Sequence, residues 1–301
     1  LLFEHASQAA DGDGALRPQL TPGHIHLSRA ARSSEQLFGR ATEVGLLEGA
    51  LTELCASSKR ALLVIEGEPG AGKSHLLRHA LRRAQAVSVR CIVCEGDPLE
   101  QGGANHALRG IAQQLFELDS APQTLEELRS HCLAQLQETE ATSWAPLLNA
   151  VLPLALPANP VTSAMSEQAR AEALRDLLIA RLRSATAAQP ALLLVDDAHA
   201  LDKASWQFVL HAASVLDRVM IVVAARHLAP ELRAQLTRVG AQALTLGPLA
   251  EPAIEAAIAA RLGVHSVPPQ AMRLIQARAS GNALFSLELA EAMCEAGILE
   301  L

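Results

Sequence analysis

Lys73 and Ser74 close the run Gly67-Glu68-Pro69-Gly70-Ala71-Gly72-Lys73-Ser74, whose residue types and spacing suit the handling of a phosphate chain. Glycines at 70 and 72 let backbone N–H groups turn inward, where a side chain would crowd an approaching anion. Lys73 would reach the β- and γ-phosphates as a point charge, and Ser74 would ligate Mg²⁺. The pattern GxxxxGK[ST] is met in full, and the expected phosphate-contacting set is Gly67, Gly70, Ala71, Gly72, Lys73, Ser74 and His75. Far downstream, Asp196 and Asp197 follow the apolar run Ala191-Leu192-Leu193-Leu194-Val195. Asp196 would hold the metal through water, and Asp197 would orient or deprotonate an attacking water. Taken alone, Asp197 also reads as a helix N-cap or turn residue. Arg226 ends another apolar run, where it would either sense a third phosphate or stand as a solvated surface charge.

These residues need strands that end beside one another and helices that start there. Residues 61–65 read as a strand leading into the glycine loop, and 75–84 as the helix after it. The phosphates would sit on that helix's N-terminus, where the dipole favours anions. Residues 87–94 read as a second strand. Its Cys91 and Cys94 form a CxxC, but three residues apart on a strand they point to opposite faces, so buried core cysteines are expected rather than a zinc or redox pair. Residues 104–187 carry three- and four-residue apolar spacing, broken by Pro153, Pro157 and Pro160, and read as a helical insertion before the third strand, 191–195. A helix over 203–216, a strand over 219–224, a helix over 230–236 and a strand over 243–246 follow. After Gly247-Pro248-Leu249 the pattern is helical over 251–262, 269–279 and 284–296. Ahead of the first strand, a helix through Val44, Leu47, Leu51 and Leu54 is expected, with Thr42 as its N-cap. The expected division is a linker over 1–35, a nucleotide-binding domain over 36–247 and the start of a helical lid over 248–301. His24 and His26, in the linker, lack Cys or carboxylate partners at ligand spacing and read as solvated loop residues.

Composition narrows the class. Half of the 301 residues are apolar, only 2% are aromatic and Tyr is absent, so the core must come from Leu, Ala, Val and Ile, which suits helices packed on a parallel sheet. A net charge of −7 without a basic stripe leads to the expectation of no direct nucleic-acid contact. No apolar run reaches membrane-span length, so no membrane partner is expected. Five cysteines without framework spacing point to a reducing, cytoplasmic setting. A first residue that is Leu and a last helix that ends at the chain terminus read as a piece of a longer protein.

Together these motifs resemble the STAND branch of the AAA-type P-loop ATPases. More narrowly, they resemble the ATPase module of large signalling proteins such as class III adenylyl and guanylyl cyclases and LuxR-type regulators. The resemblance rests on Leu37-Phe38-Gly39-Arg40-Ala41-Thr42-Glu43, the glycine loop, Leu193 to His199, Leu201 to Trp206, Ala225-Arg226, Leu246 to Leu249 and Gly281-Asn282-Ala283-Leu284-Phe285. It implies an α/β P-loop NTPase of the ASCE type, a five-stranded parallel sheet ordered 5-1-4-3-2, flanked by helices and followed by a helical lid. It implies ATP or ADP with Mg²⁺, Gly39 and Arg40 near the adenine or the domain seam, Arg226 as a sensor, Pro248 at the seam and Asn282 in the lid near the nucleotide. Ala283 stands where the family has Pro, so a base contact from that ring is lost. Asp197 stands where many AAA proteins have Glu, and its shorter arm fits a slow switch. The resemblance also implies other domains of the same chain as partners, and self-association when ATP is bound. The alternative is a nucleotide-binding interaction module without turnover. A small-molecule phosphotransferase is disfavoured by the distant Asp pair and the helical C-terminus.

Overall fold

The computed structural model describes residues 36–97, 105–118, 124–137 and 141–299. The expected linker, with His24 and His26, lies outside them.

Five apolar runs pair as parallel strands: β1 (Ala61–Gly67), β2 (Arg90–Glu95), β3 (Ala191–Asp196), β4 (Val219–Ala225) and β5 (Gln242–Leu246). Their order across the sheet is β2-β3-β4-β1-β5, the order that the resemblance implies. Every residue of β3 and β4 is buried, which is why these runs are apolar without alternation. β5 lies at an edge and is largely exposed.

Alternate residues of each strand enter two separate layers. Leu63, Ile65, Val93, Leu192, Leu194, Met220 and Val222 pack with α1 (Ala41–Ser57) and α2 (Lys73–Ala86). Leu62, Val64, Ile92, Leu193, Val195, Ile221 and Val223 pack with α3 (His106–Leu115), α4 (Leu125–Gln137), α6 (Glu167–Ala188) and α7 (Lys203–Val215). The short α5 (Pro160–Ser163) follows the proline-rich stretch, and α8 (Pro230–Arg238) joins β4 to β5. Cys91 falls half-buried in the first layer and Cys94 buried in the second, so the CxxC is split across the sheet. Burial pushes their thiols up to about 11 and about 12.

Three helices after the sheet, α9 (Glu251–Leu262), α10 (Pro269–Ala279) and α11 (Ala283–Glu295), share a third core around Ile254, Ile258, Ile275 and Met293. Among the described residues no helix is long and apolar enough to cross a membrane.

Three local expectations shift. The second strand begins at Arg90 rather than 87, because the amides of Val87, Ser88 and Val89 bond back to Ala84 and Gln85 and close the end of α2. α1 begins at Ala41, one residue before Thr42. Gly39 turns the chain with φ +64°, and the Arg40 carbonyl accepts the first helical bond from Val44. Residues 142–150 form a 3₁₀ rather than an α-helix. Pro146 lies inside the segment, where its ring opposes the α-helical carbonyl four residues back.

Candidate functional site

β1 delivers the glycine loop to the sheet's C-terminal edge, and α2 leaves it at Lys73. The helix start has Gly72 at its N-cap, with φ +97° and no side-chain cap. A Cβ at Gly72 would meet nothing within 4 Å, which leaves open space there. The Lys73 ammonium lies inside the loop and donates to the carbonyls of Gly67 (2.8 Å) and Glu68 (3.1 Å). Burial pulls its pKa below the lysine range, and Arg226 adds to this against the pull of Asp197, Asp196 and Glu68.

β3 and β4 bring the other charges to the same edge. Asp196 is fully buried at the end of β3. Its Oδ1 accepts from the Asp197 amide at 2.9 Å, while Oδ2 is buried without a hydrogen-bond partner among the described residues. Burial raises its pKa, and the Ser74 hydroxyl and the Asp197 amide oppose the rise. Asp197 takes a left-handed backbone, φ 43° and ψ 41°, at the start of a 3₁₀ turn (Ala198–Ala200), and its carboxylate caps nothing. The N-cap position is therefore real, while side-chain capping is not what employs Asp197. Arg226 follows β4, is exposed, and acts electrostatically on both Lys73 and His199.

Sequence reasoning passed over Glu95. Parallel pairing of β2 with β3 sets Glu95 opposite Asp196, on the sheet face that carries Val93 and α2. Burial, then Asp196, Asp197 and Asp97, push its carboxyl up to about 7. Only the register across the sheet could have found it.

The stretch before α1 and the lid complete the site. Arg40 is 8% exposed. Its Nη2 donates to the Ala71 carbonyl (3.1 Å) and to the Gly247 carbonyl (2.6 Å), and its Nη1 pairs with Glu43 at 3.2 Å. It ties the glycine loop to the seam, in addition to its ion pair with Glu43. Gly39 leaves no room for a Cβ against Ala253 of α9. Pro248 packs against Gly281, and the Leu249 amide donates to the Gly281 carbonyl at 2.9 Å. Asn282 caps α11 through Oδ1 and donates through Nδ2 to the Pro69 carbonyl at 2.7 Å. The Leu284 amide reaches the Gly70 carbonyl at 3.2 Å. A Cβ at Gly70 would lie 2.5 Å from Asn282 Oδ1, so the lid packs directly on the loop there.

Between these parts lies an open cleft. Ala71, Gly72 and His75 form its floor. Leu37, Phe38, Leu249 and Leu287 give apolar walls, and Arg40 and Arg261 give polar ones. The motifs placed Gly39 and Arg40 near it, whereas Phe38, Arg261 and Leu287 emerge only from the packing.

The residues fit Mg²⁺ and a nucleotide. A buried carboxylate oxygen without a partner beside a serine hydroxyl is a donor pair for a hard cation that keeps its waters. The uncapped helix start and the open space at Gly72 suit phosphates, and the apolar cleft next to them suits a flat base.

A family model described as AAA ATPase domain matches residues 36–224. A search of curated proteins finds none that matches. Several solved structures share the fold. The Aeropyrum pernix ORC1 protein in complex with DNA is 15% identical over 87% of this chain and 62% of that one, with a TM-score of 0.53. Drosophila ORC bound to DNA is 16% identical over 98% and 66%, with a TM-score of 0.53. Cdc6p from Pyrobaculum aerophilum is 16% identical over 89% and 65%, with a TM-score of 0.51. The chain thus spans less than two thirds of each of these solved chains. The first two correct one expectation. Proteins of this fold are seen bound to DNA, so an acidic net charge does not support the absence of nucleic-acid contact. A sum over all residues says nothing of a local basic patch, nor of parts of a protein that lie outside the sheet and lid.

Proposed function

We propose, for a chain that belongs to the AAA ATPase domain family, that residues 36–247 with the lid 248–301 bind Mg·ATP and hydrolyse it slowly. We propose further that the bound nucleotide sets the state of a regulatory switch in a larger signalling protein. One observation carries the reading. Lys73, Ser74, Asp196 and Arg226 converge at one sheet edge, and the lid helix that carries Asn282 is hydrogen-bonded to the same loop.

In this reading the loop amides and Lys73 hold the β- and γ-phosphates, and Lys73 exchanges its carbonyl partners for phosphate oxygens. Ser74 and Asp196 hold the metal, which when bound neutralises phosphate charge. Phe38, Leu249 and Leu287 enclose the base, with Arg40 and Gly39 fixing that wall. Asp197 orients a water whose oxygen attacks the γ-phosphorus. The bond to the bridging oxygen breaks, ADP and phosphate leave, and the water's proton passes to Asp197 and then to solvent. Arg226 feels the γ-phosphate, and its loss frees the seam. Nucleotide can favour a closed lid only through contacts made in that state and absent from the open one.

Multiple-turnover phosphate release tests this. Wild type should release phosphate, and Lys73→Ala and Asp197→Asn should not. A well-folded wild type that binds ATP without release would leave the interaction-module reading in its place. Radiolabel found in an added acceptor would point to a phosphotransferase. Duplex DNA belongs in the same binding assays, because the fold occurs in DNA-bound proteins.

A further inference from the structure

His199 lies three residues beyond Asp196, and nothing above gives it a task. The 3₁₀ turn fixes its position. The Ala200 amide bonds to the Asp197 carbonyl at 2.8 Å, the Leu201 amide bonds to the Ala198 carbonyl at 3.1 Å, and Ala198 and Ala200 are buried on either side. The His199 Nδ1 stands 3.8 Å from Asp197 Oδ1, beyond a hydrogen bond. That nitrogen is buried and has no hydrogen-bond partner among the described residues. Buried ring nitrogens are ordinarily paired, so an exception calls for an explanation. The Asp197 carboxylate does not cap the turn. The two side chains, just out of hydrogen-bond reach of one another, stand where the charges of Lys73 and Arg226 also act on His199.

We propose that His199 is a positioning residue for hydrolysis: when nucleotide fills the loop, Nδ1–H donates to Asp197 Oδ1 and turns the other carboxylate oxygen toward the attacking water. A small rotation of either side chain closes the gap. Burial lowers the imidazole's pKa, and the charges of Arg226 and Lys73 act in the same sense against the pull of Asp197 and Asp196. A neutral ring bonded through Nδ1 has a set tautomer, so it holds the carboxylate in one orientation without taking its charge. The backbone at Asp197 is left-handed, and its side chain lies 3.8 Å from that of His199. This inference rests on the hydrolysis reading, and on Asp197 as the group that holds water.

The test uses three substitutions and two readouts. His199→Ala should lower kcat on the order of tenfold, with ATP affinity unchanged, as expected when a partner that orients a reacting group is lost. His199→Asn keeps an N–H near the Nδ1 position and should recover most of the rate. His199→Gln places its amide near Nε2 and should not. Equal rates in wild type and His199→Ala, or equal losses in all three variants, would overturn the proposal. The second readout needs no turnover. In ¹⁵N NMR of the whole chain, a non-hydrolysable ATP analogue with Mg²⁺ should move His199 to the Nδ1–H tautomer, and Asp197→Ala should abolish the change. A His199 signal indifferent to both would also overturn it. Wild type without turnover but with the tautomer change would sink the hydrolysis reading and leave the His199–Asp197 link standing.

Discussion

Asn282 donates through Nδ2 to the Pro69 carbonyl across 2.7 Å, which fastens the first turn of α11 to the back of the glycine loop. The same side chain accepts the Phe285 amide at 3.1 Å, so one residue both starts a lid helix and joins that helix to the phosphate site. A shift of Pro69 or Gly70 on nucleotide binding must move α11 or break this bond.

Substitution separates the two duties. Asn282→Ala removes both bonds and should destabilise the chain by about 1 kcal/mol, the usual cost of a lost N-cap. Asn282→Ser keeps a capping oxygen but does not reach Pro69. It should hold the melting temperature near wild type while hydrogen exchange at the start of α11 accelerates. Unchanged exchange in the Ser variant would show that the Pro69 bond does not restrain the lid.

Arg40 is a buried cation with three partners on three parts of the chain: Glu43, Ala71 and Gly247. Arg40→Ala leaves two carbonyls and a mostly buried carboxylate without their donor, and should cost about 2–4 kcal/mol in urea unfolding. Arg40→Lys keeps the charge but lacks the planar fork, and should recover less than half of that loss. Full recovery by Lys would mean that charge, not geometry, holds the seam.

Glu95 gives stability a pH dependence of known sign. Its folded pKa is raised from 4.5 to about 7, so folding favours the protonated form. The stabilising contribution is complete below 4.5 and is lost as pH rises through about 7. Glu95→Gln removes this group, so its melting temperature should fall less than that of wild type between about pH 5 and about pH 8. Identical pH profiles would show that the fall comes from other groups. Mg²⁺ beside Asp196 should lower the Glu95 pKa and move the wild-type fall to lower pH.

Ala283 is the first residue of α11 and lines the cleft. Proline suits that position, because its fixed φ matches the helix and its missing N–H is one the helix does not use. Ala283→Pro should raise stability by about 0.4–1 kcal/mol and add ring surface beside the base. Tighter binding of a fluorescent ATP analogue, together with a higher melting temperature, would support the placement of the base. Weaker binding with unchanged stability would place the base elsewhere in the cleft.

The sequence by itself determined what local chemistry determines. The glycine spacing before Lys73 and Ser74 requires a tight loop at a helix start. The unalternating runs of β3 and β4 require burial on both faces. The three- and four-residue spacing from 251 onward requires helices, and 251–262 and 269–279 end where expected. Even the split of Cys91 from Cys94 follows from the two-residue period of a strand. Tertiary structure alone decided which distant groups meet. Glu95 stands beside Asp196 because β2 pairs with β3 in one register, across about a hundred residues of intervening helices. Arg40 reaches Gly247, 207 residues away, where α1 and the end of β5 share one core layer. His199 approaches Asp197 within 3.8 Å across a turn whose backbone is left-handed at Asp197. The physical reason is the same in each case. Periodicity reports only which face of an element is apolar, whereas register, edge and approach are set by two surfaces packing together.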